Sequence, residues 1–248
     1  MAAYDFRAHR LFVDAPLAVG TPATLEREPS HYLLNVLRMQ EGDRVLLFNG
    51  RNGEFLARLA GGSKKAAVLD VVEQTRPQPA APDLHYLFAP LKHARLDYML
   101  QKAVEMGAGR IQPVLTRHTQ VSRVNLERMR ANVTEAAEQC GVLAVPEVAE
   151  EIRFERLLGA WPAERLMIFC DEDAPIADPI AALKGAPRGP AAVLIGPEGG
   201  FSEEERAALL RLPRVLRVSL GPRILRADTA AVAALALVQA TLGDWGQA

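Results

Sequence analysis

From residue 84 onward the sequence alternates between short apolar runs and amphipathic runs, and this alternation restricts the fold more than any other feature. The pattern predicts strands at 84–91, 110–115, 164–172, 191–195 and 214–220, and helices at 94–107, 125–141, 202–212 and 228–242. Parallel strands need crossover connections, which such helices supply. The sequence therefore predicts an α/β domain with a mainly parallel sheet, whose ligands bind at the carboxyl ends of the strands.

A proline-rich segment, "EQTRPQPAAPDLH", separates this part of the chain from the residues before it. Prolines at this spacing block helix and sheet interiors and favour an extended connector, so we expect two domains, residues 1–75 and 76–248. The first contains short β-type runs punctuated by Asn-Gly and Gly-Gly pairs, which is typical of a small barrel or hairpin stack. Within it, "PSHYLLNVLRMQEGD" predicts one helix with Ser30 as its N-cap and Gly42 as its stop.

The charge balance and the cysteines limit the possible partners. Lysine and arginine number 29 against 30 acidic residues, so an anionic partner has to be met by a local patch. Cys140 and Cys170 lack metal-ligand spacing, and no signal peptide or membrane-length apolar run is present. These features predict a cytoplasmic protein without a metal or a membrane partner.

The stretch "VLIGPEGGFSEEE", Val193 to Glu205, predicts a buried strand, a tight loop and a helix. Ser202 and Glu205 have the spacing of a capping box. Gly199 and Gly200 leave the main chain bare for close approach of a flat ligand. The acidic residues and the missing GK[ST] disfavour a polyphosphate nucleotide, whereas a neutral or cationic adenosine-type ligand is tolerated. A tight turn with little function is the alternative.

A second strand end, "VSLGPRILRADTAAVAAL", repeats this arrangement. A strand to Leu220 leads into a Gly221-Pro222 turn, and Asp228 is the candidate N-cap of the next helix. Arg223 and Arg226 would form a polar floor beside an apolar slot if the two strands are neighbours, although arginines near helix starts are often only solvated.

A third strand end carries Arg117, His118 and Arg123. As a group these cations could follow a phosphate backbone. A lone histidine such as His118 is more often a surface or hydrogen-bonded residue than a catalyst.

The two glycine-rich segments, "LIGPEGGFSEEE" and "SLGPRILRADTA", resemble the paired C-terminal motifs of the RsmE-type 16S ribosomal RNA uridine-N3 methyltransferases of the SPOUT superfamily. Further matches are "QKAVEMGAGRIQPVLTRHT", the Glu138–Val148 segment and "HYLLNVLRMQEGD", so the resemblance spans essentially the whole chain. The chain departs from the family pattern at Val142–Ala144, where members commonly carry arginine, and at Asp228, where they commonly carry glutamate.

The resemblance implies a fold and a reaction that composition does not show. It implies a SPOUT-type domain with a trefoil knot at the chain end, a preceding PUA-like RNA-binding β-barrel, a homodimer, and methylation of uracil N3 in 16S rRNA of the small ribosomal subunit. The implied cofactor is S-adenosylmethionine, held at Leu194, Gly196, Glu198, Gly199, Gly200, Leu220, Gly221, Ile224 and Leu225.

The resemblance also suggests roles for the charged residues. Arg226 would stabilise the developing uracil anion, and Asp228 would be a helix cap or a weak base. RNA would be bound by Arg38, Arg117, Arg123 and Arg223. Two alternatives stay open: a SPOUT methyltransferase with another RNA target, and an RNA-binding assembly factor without catalysis. A factor of the second kind would not bind S-adenosylmethionine.

Overall fold

The computed structural model describes residues 8–121, 123–171, 173–174 and 178–245, except the side chain of His93. The chain forms two compact units. The first unit comprises Met1–Ala81 and Thr134–Val145, and the second comprises Pro82–Val133 and Pro146–Ala248. A short segment from the middle of the chain thus belongs to the first unit.

The first unit is built on a mixed sheet of five strands in the order β1-β3-β4-β5-β2. Only the β1–β3 pair is parallel among these pairings. The long β4–β5 hairpin carries register shifts at three places, which bend it so that its apolar face wraps the core around Leu33, Leu47 and Leu69. The strands are β1 (Arg10–Phe12), β2 (Pro22–Thr24), β3 (Arg44–Phe48), β4 (Glu54–Ser63) and β5 (Ala66–Arg76).

The predicted helix after residue 29 is present, but its start and end were predicted wrongly. Helix α1 covers Arg27–His31 and continues as a π-helical turn over Tyr32–Val36. Ser30 lies inside α1, not at its N-cap: its buried hydroxyl lies 2.6 Å from the Glu26 carbonyl oxygen and accepts the Ala67 N–H at 2.9 Å. A serine hydroxyl inside a helix can bond the carbonyl one turn back in this way, and the residue with the extended backbone of an N-cap is Glu26.

A buried ion cluster organises the first unit. The Glu54 carboxylate, 4% exposed, lies 2.6 Å from Arg10 Nε and 2.5 Å from Arg76 Nη2. Burial alone would raise the pKa of Glu54, but hydrogen bonds from Arg76, Arg10 and Thr75 outweigh it and lower the pKa. Removing one partner would leave an uncompensated buried charge, which costs roughly 3–5 kcal/mol.

Hydrogen bonds from the cluster residue Arg76 and from strand β1 connect the segment after Thr134 to the first unit. Arg76 Nη1 donates to the Gly141 carbonyl at 3.0 Å, and the Glu138 carboxylate accepts the Phe12 N–H at 2.8 Å. Leu143 and Ala144, where family members commonly carry arginine, are buried at 4% and 9% exposure. These two positions therefore serve packing in this chain.

The second unit is the predicted α/β domain with a mainly parallel sheet. Its sheet runs β12-β10-β11-β6-β7-β8, with β9 beside the end of β7, and every pairing is parallel. The strands are β6 (Leu84–Phe88), β7 (Arg110–Leu115), β8 (Glu147–Val148), β9 (Ile152–Arg153), β10 (Leu166–Cys170), β11 (Ala191–Ile195) and β12 (Val215–Val218). The last residue predicted for β10, Glu172, lies outside the described residues.

Helices cover both faces of this sheet. Those of the second unit are α2 (His93–Glu105), α3 (Leu126–Cys140, ending in the first unit), α4 (Phe154–Gly159), α5 (Pro179–Lys184), α6 (Glu203–Leu209) and α7 (Ala227–Thr241). One face packs Phe169 and Leu194 against Phe154 of α4 and Leu209 of α6. Helix α7 packs against α2 and β11. The trefoil knot stays a prediction.

His85 lies near the amino end of β6, and its protonation should make the free energy of unfolding depend on pH. Burial, followed by the charges of Arg165 and Arg110, lowers the pKa of His85 from 6.5 to about 4. Between these values the unfolded chain binds a proton that the folded chain does not, so stability falls as pH decreases from 6.5 towards 4.

We therefore expect His85→Gln to flatten the dependence of unfolding free energy on pH in that window. Urea denaturation at several pH values between 7.5 and 4 measures it, with His31→Gln, an exposed histidine of the first unit, as control. Parallel curves for the wild type and His85→Gln would contradict the assignment.

Candidate functional site

A cleft of about 260 Å³ lies where the carboxyl ends of β10, β11 and β12 meet. The two strands that carry the glycine-rich loops, β11 and β12, are not direct neighbours, because β10 pairs with both and lies between them; the loops that follow all three strands still converge at this edge. The cleft is lined by Cys170, Asp171, Ile195, Gly196, Pro197, Glu198, Gly200, Phe201, Arg206, Ser219, Leu220, Gly221, Arg223, Ile224, Leu225, Arg226, Ala227 and Ala230. The two glycine-rich segments of the sequence therefore form opposite parts of one site.

The loop after β11 is a tight turn. The Gly200 N–H donates to the Pro197 carbonyl at 2.9 Å, and Gly200 has φ +67°, a left-handed conformation that favours glycine. A Cβ at Gly196 would lie 3.0 Å from the ring of Phe201, which itself packs edge-on against Phe169. The glycine at 196 thus lets the buried Phe201 ring lie directly under the turn.

The capping box predicted at the start of α6 is confirmed, and it does more than cap. Ser202 Oγ accepts the Glu205 N–H at 3.2 Å, and Glu205 Oε2 accepts the Ser202 N–H at 2.9 Å. The other oxygen, Oε1, accepts the Arg117 N–H at 2.8 Å. Glu205 is buried, so its carboxylate fixes the loop after β7 to the loop after β11.

The loop after β12 ends at a helix start that differs from the prediction. The N-cap of α7 is Arg226, with φ −68° and ψ 153°, and Asp228 lies inside the first turn. Asp228 is 7% exposed, its Oδ1 accepts the Thr229 N–H at 3.0 Å, and the same oxygen lies 3.6 Å from Arg226 Nε. The N-cap prediction for Asp228 was therefore wrong, because the extended residue required at that position is Arg226.

Arg226 and Ile224 lie on the open side of the cleft. The Arg226 side chain is 65% exposed and the Ile224 residue is 91% exposed. A guanidinium held at a rim by the buried Asp228 carboxylate can reach a group that enters from outside. An aliphatic side chain this exposed, next to the cleft, is available for contact with a ligand or a second chain.

The sequence did not single out Asp171, and it gave Cys170 no role. The Asp171 carboxylate, 1% exposed, lies 2.8 Å from Arg217 Nε and 3.2 Å from Arg206 Nη2, so its charge is balanced. Burial and the neighbouring Asp171 raise the pKa of Cys170 to about 12, which keeps the thiol protonated and unreactive. The sequence did contain one signal for these residues: both lie at the carboxyl end of a predicted parallel strand, where ligands bind.

The cleft gathers most of the residues predicted to bind the cofactor. Gly196, Glu198, Gly200, Leu220, Gly221, Ile224 and Leu225 line it, together with Arg223 and Arg226. Leu194 does not: its side chain is fully buried in the core of the second unit. Gly199 does not line it either: a Cβ built on this glycine would point towards His118, 3.2 Å from the His118 Cβ.

Three of the predicted RNA contacts, Arg38, Arg117 and Arg123, do not line this cleft. Arg117 Nη1 lies 3.1 Å from Glu204 Oε2, and both side chains are exposed. Arg123 lines a separate cleft of about 90 Å³ beside Asp97 and Arg128. Arg38 belongs to the first unit and has φ 55°, a left-handed conformation that is uncommon for an arginine.

The residues that the structure describes contain no group of three or more His, Cys, Asp or Glu side chains that could hold a metal ion. None of their helices has the length and apolar character needed to cross a membrane.

Two family models match the chain. Residues 78–239 match an RNA methyltransferase domain, and residues 25–72 match an RNA methyltransferase PUA domain. A curated Ribosomal RNA small subunit methyltransferase E from Rickettsia conorii is 30% identical over 93% of this chain and 95% of that protein. One of the same name from a Synechocystis species is 34% identical, over 95% of this chain and 78% of that protein.

Solved structures agree with these sequence matches. A Ribosomal RNA small subunit methyltransferase E from Neisseria gonorrhoeae, bound to S-adenosylmethionine, has a TM-score of 0.87 at 29% identity and covers 96% of this chain and 100% of its own. A methyltransferase from Legionella pneumophila in complex with the same cofactor has a TM-score of 0.79 at 27% identity, covering 94% and 98%.

Proposed function

Because the chain belongs to the RNA methyltransferase family, with both its catalytic and its PUA domain, we propose that it methylates 16S rRNA of the small ribosomal subunit from S-adenosylmethionine, at N3 of a specific uracil. The observation that carries the proposal is the convergence of the two glycine-rich loops on one cleft, together with the relatives that bear the small-subunit name. The N3 position rests on the resemblance and the chemistry of the cleft.

The residues of the cleft fit an adenosine-type sulfonium. Glycines and aliphatic residues, among them Gly196, Gly200, Leu220 and Leu225, line part of it, and charged residues line the rest. No lysine is among the residues that line it, so the lysine of a phosphate-binding loop is absent there. The Glu198 carboxylate, at 48% exposure, would not repel a positive ligand.

We assign the cofactor to the predicted residues, with two distinctions. Glu198, Gly221 and Ile224 would contact it from the cleft wall together with the four residues named above. Leu194 can take part only through its main chain, since its side chain is in the core. Gly199 would act by shaping the turn. When bound, the cofactor supplies an electrophilic methyl group.

The chemistry left to the protein is positioning and charge stabilisation. Uracil N3 must lose its imide proton, either to the Asp228 carboxylate as a weak base or to solvent water, and the negative charge then spreads onto O2 and O4 until N3 takes the methyl group from the sulfonium. Arg226 at the rim of the cleft would donate hydrogen bonds to this developing charge, a contribution typically worth 10²–10³ in rate. Asp228, 3.6 Å from Arg226 Nε, would orient that guanidinium from its buried position. Orientation supplies much of the remaining barrier reduction.

The RNA contacts follow from the same geometry. N3 takes part in Watson–Crick pairing, so the target base has to be unpaired or flipped out of its stack. Arg223 lines the cleft and Arg117 is exposed beside it, so both could hold phosphate near the reacting base. Arg123, which lines a separate cleft, and Arg38, which belongs to the first unit, would contact other parts of the RNA.

The proposal also assigns a role to each domain, an oligomeric state and a cellular location. We assign residues 1–75 to RNA binding and 76–248 to methyl transfer, apart from residues 76–81 and Thr134–Val145, which pack with the first unit. We also propose that the enzyme is a cytoplasmic homodimer. The homodimer rests on the resemblance alone.

The test is transfer of a labelled methyl group from S-adenosylmethionine to purified ribosomal RNAs and subunits that lack the modification. The proposal predicts label in 16S rRNA, supplied free or in small subunits, and none in 23S rRNA or transfer RNA. Label confined to another RNA would show a different target. Absence of both binding and transfer would favour an assembly factor.

A further inference from the structure

His118 contacts the tight turn after β11, residues 197–200, without itself lining the cleft. Its Nδ1 lies 3.0 Å from the Gly199 carbonyl oxygen and 3.2 Å from that of Gly200. Carbonyl oxygens only accept hydrogen bonds, so Nδ1 must carry the proton that is shared between them. The neutral tautomer with Nδ1–H and the imidazolium both provide this donor.

These contacts fix the orientation of two successive peptide planes. In a trans peptide the C=O and the following N–H point in opposite directions. The Gly199–Gly200 peptide is thus held at both ends, by His118 at its carbonyl and by the Pro197 carbonyl at its N–H, 2.9 Å away. The next peptide directs the Phe201 N–H away from His118, and both Gly200 and Phe201 line the cleft.

The loop that carries His118 is itself well anchored. Thr116 N–H donates to Thr119 Oγ1 at 2.9 Å, and the Arg117 N–H donates to the buried Glu205 at 2.8 Å. The imidazole is therefore presented from a fixed main chain, although its ring is exposed. A donor held in this way can orient the turn without relying on the packing of its own side chain.

We propose that His118 is a positioning residue for the cofactor: its Nδ1–H holds the Gly199 and Gly200 carbonyls so that the turn presents its cleft side in the orientation that binds S-adenosylmethionine. The inference rests on the proposed function for the identity of the ligand. It concerns a residue that does not line the cleft and that acts through the turn.

Three substitutions separate this role from general packing. Asparagine places its Nδ2 donor on Cγ, at the position of the histidine Nδ1, whereas glutamine carries its donor one atom farther out and alanine has none. Calorimetric titration with S-adenosylmethionine should show affinity reduced about fivefold in His118→Ala and His118→Gln, and restored to within about twofold in His118→Asn. In turnover, KM for the cofactor should rise while kcat at saturation stays near its original value.

Amide hydrogen exchange of the free protein tests the contact without any ligand. We expect faster exchange at Gly200 in His118→Ala but not in His118→Asn, with His31→Asn, a substitution in the first unit, as the control. Equal affinity and exchange in the wild type and His118→Ala, or an Asn variant as defective as the Ala variant, would overturn the inference. If the wild type does not bind S-adenosylmethionine, the proposed function fails, and the exchange comparison still decides whether His118 orients the turn.

Discussion

Replacing Ala230 with tryptophan is expected to abolish detectable binding of S-adenosylmethionine, a loss of at least about 100-fold in affinity. Ala230 lies in α7 and lines the cleft. The indole ring of a tryptophan at this position would therefore fill much of the cleft volume of about 260 Å³. The position is helical and half-exposed, so the substitution imposes no strain on either glycine-rich loop. Calorimetric titration measures the effect.

The matched control is Ala240→Trp, the same substitution at an exposed position near the other end of α7. It should bind the cofactor like the wild type. Thermal unfolding of both variants should stay within a few degrees of the wild type. Undiminished binding by a folded Ala230→Trp protein would show that the cofactor binds elsewhere.

Replacing Arg226 with alanine is expected to reduce the single-turnover methylation rate about 100-fold while cofactor affinity changes less than about threefold. The guanidinium lies at the rim of the cleft, where it can reach a base that enters from outside, and it is held by Asp228. Removing it takes away stabilisation of charge that exists only as the reaction proceeds, which lowers the rate and leaves ground-state binding intact.

Two further variants, one at position 226 and one at position 223, sharpen this test. Arg226→Lys keeps the charge but not the planar fork of donors, so its rate should lie between those of the wild type and the alanine variant. Arg223→Ala should weaken RNA binding and affect the rate at saturating RNA much less. Equal losses of cofactor affinity and rate in Arg226→Ala would show a binding role in place of the assigned one.

The sequence was sufficient for features that depend on local pattern. The strand and helix alternation, the capping box of Ser202 and Glu205, and the two glycine-rich loops all follow from spacing within a few residues. Their convergence was predictable because parallel strands end at the same edge of a sheet. Seven of the nine residues predicted to bind the cofactor line one cleft for this reason.

What could not be predicted depends on contacts between distant parts of the chain. Asp171 lines the cleft because β10 lies between β12 and β11, an order that local pattern does not give. The outward orientation of Gly199 follows from the bonds of His118, which is more than 80 positions away. The segment after Thr134 joins the first unit through Arg76 and Phe12.

The two wrong cap assignments have a common cause. A serine or aspartate near a helix start is a good cap only if its own backbone is extended. Ser30 and Asp228 both lie inside the first turns of their helices, where Glu26 and Arg226 take the extended position. The sequence shows which residues are good N-caps by type. Which residue has the extended backbone of an N-cap depends on the path of the chain that leads into the helix.

The most direct test of the proposed reaction is to identify the methylated nucleoside. Small ribosomal subunits lacking the modification would be incubated with the enzyme and S-adenosylmethionine, and their 16S rRNA digested and analysed by mass spectrometry against nucleoside standards. The account predicts 3-methyluridine at a single position, absent when Arg226→Ala is assayed over the same short time. A methyl group on a ribose hydroxyl or on another base would contradict it.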